Sequence, residues 1–296
     1  MKDKIALFYN PVAGGGRFEK RLASIVQHFQ NQGFQLEPWR ITSNADIADD
    51  LRCLDPDELH TIAAAGGDGT VHGLVNAMMD CGLQVPIAIF PEGTSNDVAH
   101  YLSIPAKAPD YCNIVTHGRL MDLDLGRVNG RYFVNIASGG LLTETAHEVE
   151  YFWKNLLGRG AYFLKGLGKI PLIQSLDLTL TVDGHRHQLE VVLFVILNGG
   201  TAGGFQGIIP EGKMSDGQLD FVAIRPVSLA RATQLLYKIM RKQLLQDENI
   251  FYCQGKHFLV DLKPPASTDL DGEKGPALPW DIEVIPAALK IWIPSV

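Results

Sequence analysis

Near the start of the chain, three short apolar runs each end in a polar, glycine-bearing turn that opens onto a helical pattern. Residues 5–9 lead through Asn10-Pro11-Val12-Ala13-Gly14 into an amphipathic segment from Arg17 to about Asn31. Residues 61–65 lead through Gly66-Gly67-Asp68-Gly69-Thr70 into a helical pattern over 71–81. Residues 87–90 lead through Pro91-Glu92-Gly93-Thr94-Ser95-Asn96-Asp97 into another helix. A further strand is expected over 36–41, with Thr42, Ser43 and Asn44 offering N-cap oxygens to a helix over 45–54. Strands that alternate with helices pair in parallel and build an open α/β sheet, because each connection must cross over the sheet. Ligands of such sheets bind at the carboxyl ends of the strands. The three polar loops all fall on that edge, and together they predict one cleft.

After about Met121 the pattern changes to hairpins. Asn129-Gly130 separates apolar runs at 123–128 and 131–136, and Asp183-Gly184 separates 178–182 from 185–195. Both dipeptides are strong signals for type I′ turns. Further strands are expected over 219–224, 257–262 and 282–285, with one helix over about 229–245. The second half therefore reads as an antiparallel β-sandwich, and the domain boundary is placed at 122/123. Aromatics and paired glycines over 141–167 suggest helices that cover one end of the sheet.

Length fits this division, since 296 residues make about two domains. The charge balance, 26 Lys and Arg against 33 Asp and Glu, gives a net charge of −7 with no basic block, which argues against nucleic acid as a partner. The longest apolar run, 191–197, is far short of the ~20 residues that span a bilayer. The first ten residues have five apolar residues before a polar Asn-Pro, too few for a signal h-region. Cys53, Cys81, Cys112 and Cys253 lie far apart and read as reduced core thiols. The expectation is a soluble cytoplasmic protein whose contact with lipid, if any, is peripheral, at the inner membrane face. A homodimer is left open.

The loops suggest chemistry. Glycines at 66, 67 and 69 let backbone N–H groups approach a phosphate, and the following helix adds partial positive charge. Asp68 would repel phosphate directly and is better suited to positioning Mg²⁺. A tight turn capped by Asp68 or Thr70 explains the same five residues in isolation. In Asp269-Leu270-Asp271-Gly272-Glu273, Gly272 permits a bend that brings Asp271 and Glu273 together on a hydroxyl, as general base. A solvated acidic turn is the plain alternative. Residues 207–214 imitate a P-loop, but Met214 stands where a Ser or Thr would bind Mg²⁺ and a β-like run follows. His185 and His187 share a strand face without a third ligand and read as surface residues.

Taken in order, NPVAGGG, GGDGTVHGLVNAM, PEGTSNDVAHYL, GKMSDGQLD and TDLDGE closely resemble the diacylglycerol kinase catalytic-domain family, and more narrowly its bacterial soluble lipid kinases. The resemblance spans nearly the whole chain. GGDGT alone is shared with NAD kinases and 6-phosphofructokinases. The family implies a Rossmann-like, NAD kinase-like nucleotide domain, a β-sandwich that meets the lipid, and a final strand, 287–296, that returns to the first domain. It implies ATP contacts at Asn10, Pro11, Gly14, Thr42, Gly66, Gly67, Asp68, Gly69, Thr70, His72 and Thr94. It further implies Glu273 as base, with Asp68 and Asp97 as acidic cleft residues. A structural Mg²⁺ loop would use the Asp216 carboxylate and the carbonyls of Lys213 and Gln218; the family usually carries Leu at the last position. Glu92 receives no role. The implied activity is ATP-dependent phosphorylation of a lipid hydroxyl, diacylglycerol foremost, with phosphatidylglycerol or a sphingoid base as other acceptors. NAD kinase and a non-catalytic nucleotide sensor are the rival readings. Basic residues Lys154, Arg159, Lys165 and Lys169, together with the aromatics and leucines of 151–167, are candidate headgroup contacts.

Overall fold

The computed structural model describes residues 2–140 and 175–295. Strands β1 (Lys4–Tyr9), β2 (Gln35–Arg40), β3 (Leu59–Gly66) and β4 (Ile87–Pro91) run parallel in the order β2-β1-β3-β4, with Ile5 beside Leu36 and Thr61, and Ile62 beside Ile87. The three inner strands read as nearly unbroken apolar runs because helices cover both faces. Helix α1 (Arg17–Asn31) buries Phe18, Ile25 and Phe29 and packs on α5 (Ala108–His117). Helix α2 (Asn44–Arg52) packs on α3 (Asp68–Asp80), which buries Val71, Leu74, Val75 and Met78. A short helix, α4 (Asp97–Tyr101), follows the third polar loop.

The two halves share a sheet. Strand β18 (Trp280–Ile293) is long enough to lie parallel to β4 at Ile291 and antiparallel to β15 (His257–Lys263) at Trp280. Along most of its length it pairs with β5 (Arg119–Val128), with a register break between Ile285 and Leu289. Beyond β15 lie β8 (Leu176–Val182) and β9 (His185–Val191), while β6 (Arg131–Phe133) pairs with β5. Both tight turns have the expected left-handed residues, with φ of 47° and 87° at Asn129 and Gly130, and 46° and 86° at Asp183 and Gly184. The second sheet runs β14 (Ile250–Gly255), β13 (Leu219–Ile224), β10 (Leu193–Leu197), β7 (Ile136–Gly140), β16 (Thr268–Leu270), β17 (Glu273–Lys274). Its inner face meets the large sheet through Phe194 against Trp280, edge-on at 5.6 Å, and Phe221 stacked on Phe258 at 6.2 Å. A short hairpin, β11 (Thr201–Ala202) and β12 (Phe205–Gln206), completes the strands among the described residues. Helix α6 (Leu229–Met240) buries Leu235 and Ile239 against Val222 and Leu197 on the outer face of the second sheet.

Several expectations change. The run over 185–195 is two strands, because the Val192 N–H turns to Ile224 and carries the chain from one sheet to the other. The helix expected to reach 245 stops at Met240: Lys242 adopts φ +57°, and the N–H of Gln243 returns to the Lys238 carbonyl, a C-terminal cap that cannot continue helically. Of the four thiols only Cys112 is buried, whereas Cys53 is exposed and Cys81 and Cys253 are half-buried; all four are free. The segments 141–167 and 151–167, and the basic residues Lys154, Arg159, Lys165 and Lys169, lie outside the described residues. Among the described residues no helix is long and apolar enough to cross a membrane.

Candidate active site

The carboxyl ends of β1, β3 and β4 open on a cleft of about 920 Å³, walled by Asn10, Gly14, Gly15, Gly67, Gly69, Thr70, Gly93 and Thr94. At two glycines of these loops a side chain would have no room. A Cβ on Gly93 would stand 2.3 Å from Gly67 Cα, and one on Gly66 would strike the Thr70 hydroxyl at 2.1 Å. The loops are also tied to one another. Asn10 N–H donates to the Ala65 carbonyl at 3.0 Å, and Glu92 N–H donates to the Gly66 carbonyl at 2.9 Å. Within the third loop the Asn96 side chain bonds Gly93 through both its amide atoms.

Glu92 is buried below the first loop, paired with Arg21 and accepting from the Tyr111 hydroxyl at 2.9 Å. It is a buttress that the sequence did not reveal. Arg17 is the only cation among the described residues lining the cleft, and its Nε is fixed on the Gly14 carbonyl at 2.7 Å. The signal was available: Arg17 is the first residue of the helix that follows the glycine loop. Pro11 and Thr42 do not line the cleft; Ile41 takes that place, and the Thr42 hydroxyl donates to Asp46.

The acidic loop reaches the cleft from the sandwich. Glu273 lines it, and a methyl group on Gly69 would come within 3.2 Å of Glu273 Oε1, so this carboxylate overhangs the start of α3. Asp271 does not converge with it on an open site. Its carboxylate is buried and accepts the N–H groups of Val134, Asn135 and Ile136 at 2.7–2.9 Å, while Oδ2 meets His72 Nδ1 at 2.9 Å. No lone pair of Asp271 is left for a substrate proton, which makes it a positioning residue. His72 likewise points at Asp271 rather than into the cleft. One turn further along α3, Asn76 bonds Tyr132 through both backbone groups, N–H to Oδ1 at 2.9 Å and Nδ2 to carbonyl at 3.0 Å. Helix α3 thus holds the hairpin and the acidic loop together.

Asp68 and Asp97 are not among the residues that line the cleft, but they lie close enough together for their charges to interact. Burial, and then the charge of Asp97, push the Asp68 carboxyl up to about 6; its Oδ1 receives the Val98 N–H at 3.4 Å. Burial also raises Asp97, against two opposing bonds from Gly203 and Gly204 N–H at 2.7 and 2.8 Å. Two nearby carboxylates short of cationic partners suit a divalent ion.

Asp269 is likewise pushed up to about 6, chiefly by burial. A carboxyl raised in the folded chain keeps its proton there while the unfolded chain loses it. Its stabilising share is therefore complete below about pH 4 and lost as pH rises through about 6. Asp269→Asn is expected to flatten this segment of the urea-unfolding profile, by at most about 3 kcal/mol between the two ends. An unchanged slope from pH 4 to 7 would refute the assignment.

The Lys213 to Gln218 segment fits a hard cation by its oxygen donors. Asp216 is exposed, with Oδ1 accepting the Gln218 N–H at 3.1 Å, and its charge adds to burial in raising Asp220 to about 6. Asp124, buried between Leu123 and Leu125, clamps this loop to the register break in β18 by accepting Gly217 N–H at 2.6 Å and Ala287 N–H at 2.7 Å.

The chain matches the model of the diacylglycerol kinase catalytic domain over residues 4–128 and that of the YegS C-terminal NAD kinase beta sandwich-like domain over 138–293. It is 32% identical over 277 residues to the diacylglycerol kinase of Bacillus subtilis, covering 92% of this chain and 90% of that one. The diacylglycerol kinase of Staphylococcus carnosus is 24% identical over 295 residues, covering 100% and 96%. A solved diacylglycerol kinase structure from Bacillus anthracis superimposes with a TM-score of 0.78 at 23% identity over 98% of this chain and 97% of that one, which speaks for the fold. Family models that meet along the chain, and a relative matched over nearly all of it, leave one assignment: this chain belongs to the diacylglycerol kinase family, kinases that transfer phosphate to an alcohol.

Proposed function

We propose that the chain phosphorylates the hydroxyl of diacylglycerol with ATP, giving phosphatidic acid, at the cytoplasmic face of a membrane. The observation that carries this reading is the Glu273 carboxylate overhanging a glycine-walled cleft at the start of α3. Glycine amides of the three loops and the Arg17 guanidinium bind the triphosphate. Thr70 and Thr94 add hydroxyls to the wall. Glu273 takes the proton of the attacking hydroxyl as the γ-phosphoryl group moves. Asp68 and Asp97 would hold Mg²⁺, which supplies charge neutralisation for the phosphates when bound, and the 213–218 loop would hold a second, structural ion. The reading keeps a nucleotide domain of 1–122 with 287–296, and a lipid domain of 123–286.

Positioning and electrostatics supply most of the acceleration in such a transfer, since little covalent help is needed. Diacylglycerol as acceptor is supported by the names of the relatives. Radiolabelled ATP offered with diacylglycerol, phosphatidylglycerol, sphingosine and NAD in parallel tests it. Label is expected in phosphatidic acid. Label in another lipid would move the acceptor and keep the mechanism, whereas label in NAD alone would overturn the reading.

A further inference from the structure

The outer face of α6 is unlike the rest of this acidic surface. Residues 225–250 hold five basic residues against two acidic ones, in a chain whose net charge is −7. Arg231 and Lys238 are engaged by the buried Asp247. Arg241 and Lys242 are exposed and, among the described residues, have no carboxylate within ion-pair distance. Beside them stand Tyr237 and Met240, more than half exposed on the side of the helix opposite Leu235 and Ile239. The Arg241 guanidinium lies 5.3 Å from the Tyr237 ring centre and donates to its hydroxyl at 3.0 Å, so the aromatic and the cation form one rigid unit. An apolar pair rimmed by cations that have no carboxylate partner among the described residues gains at an interface where headgroups are anionic and acyl chains begin just below.

Its place in the fold connects it to the cleft. The Lys242 stem covers Gly207, where an added Cβ would stand 2.9 Å from Lys242 Cδ. Gly207 directly follows the β11–β12 hairpin, whose tip donates Gly203 and Gly204 N–H to Asp97.

We propose that the last turn of α6, with Tyr237, Met240, Arg241 and Lys242, docks on an anionic bilayer surface and sets the acceptor side of the cleft against it. This rests on the lipid-acceptor reading for its purpose, but the docking itself is measured without turnover. The full chain is sedimented with phosphatidylcholine vesicles, with and without phosphatidylglycerol. Wild type is expected to bind the anionic vesicles, and the R241Q/K242Q double variant to bind them about thirtyfold more weakly, at ~1 kcal/mol per basic residue near the surface. Y237A/M240A is expected to weaken binding while retaining its response to phosphatidylglycerol. Both variants should phosphorylate a short-chain, water-soluble diacylglycerol as wild type does. If wild type phosphorylates no lipid, the acceptor reading fails while the vesicle result still stands or falls by itself. Wild-type binding indifferent to phosphatidylglycerol, or undiminished binding by R241Q/K242Q, overturns the proposal. So does a change from dimer to monomer in Y237A/M240A with vesicle binding intact, which would make the face a contact between two copies.

Discussion

Glu273→Gln is expected to lower lipid phosphorylation by about 10²–10⁴-fold, the usual worth of a positioned general base. The amide has the shape of the carboxylate and accepts hydrogen bonds, but it cannot take a proton at neutral pH. Glu273 is the only carboxylate among the described residues that line the cleft. Of the acids near it, Asp97 accepts two backbone N–H groups and Asp271 accepts three and faces an imidazole, while Asp68 lies outside the lining. The glycine walls and Arg17 are untouched by the change, so ATP affinity measured calorimetrically should move by no more than a few-fold. The pairing of a collapsed kcat with a preserved ATP Kd is the signature. Turnover near wild type would remove Glu273 from the proton's path, and a lost ATP affinity would make it a binding residue.

How far the sequence foretold this site depends on the range of the forces involved. The helix Arg17–Asn31 is legible in its start and approximate end, because its amphipathic stripe and the preceding glycines are local signals. The Asn129-Gly130 and Asp183-Gly184 turns were equally plain, since few dipeptides accept two left-handed residues in succession. The split of 185–195 at Val192 was invisible, because the run is uniformly strand-like and only its partners differ. Helix α5 and strand β14 are not among the elements expected from the sequence, although Pro109 and Gly118 bracket the first and Gly255 closes the second. In the site, the glycine loops announced themselves, yet Glu92, Asp124, Asn76 and the Gly203-Gly204 tip act through partners distant in sequence. Asp271 and His72, 199 residues apart, illustrate the limit most clearly. Each has a residue type suited to catalysis, and only their mutual contact shows that both are spent on holding the loop.

That contact sets the second large effect. Asp271 sits at φ +52° with its own N–H on the Ile136 carbonyl at 2.9 Å, so the bend before Glu273 is fixed by backbone and side chain together. Asp271→Asn is the informative change, because Asn tolerates the left-handed region and the backbone is not newly strained. Its carbonyl oxygen can still serve Asn135 and Ile136. Its amide nitrogen then faces the Val134 N–H, donor against donor, where Oδ2 had accepted at 2.7 Å. One orphaned buried N–H and the loss of charge-assisted bonds should cost about 2–4 kcal/mol of stability. The larger consequence is for rate. A loop released by roughly 1 Å carries Glu273 out of reach of its proton, and misplacement on that scale costs on the order of 10²-fold in turnover. The hydrogen bonds of the Asp271 carboxylate go to Val134, Asn135, Ile136 and His72 and to none of the three glycine loops, so ATP affinity should hold at temperatures where the variant is folded. A merely structural loss would lower kcat and ATP binding together in proportion to the unfolded fraction. His72→Gln, which keeps a side-chain donor near Oδ2, should fall between Asp271→Asn and wild type in both stability and kcat. A Asp271→Asn variant with wild-type kcat would show that Glu273 keeps its place without this anchor.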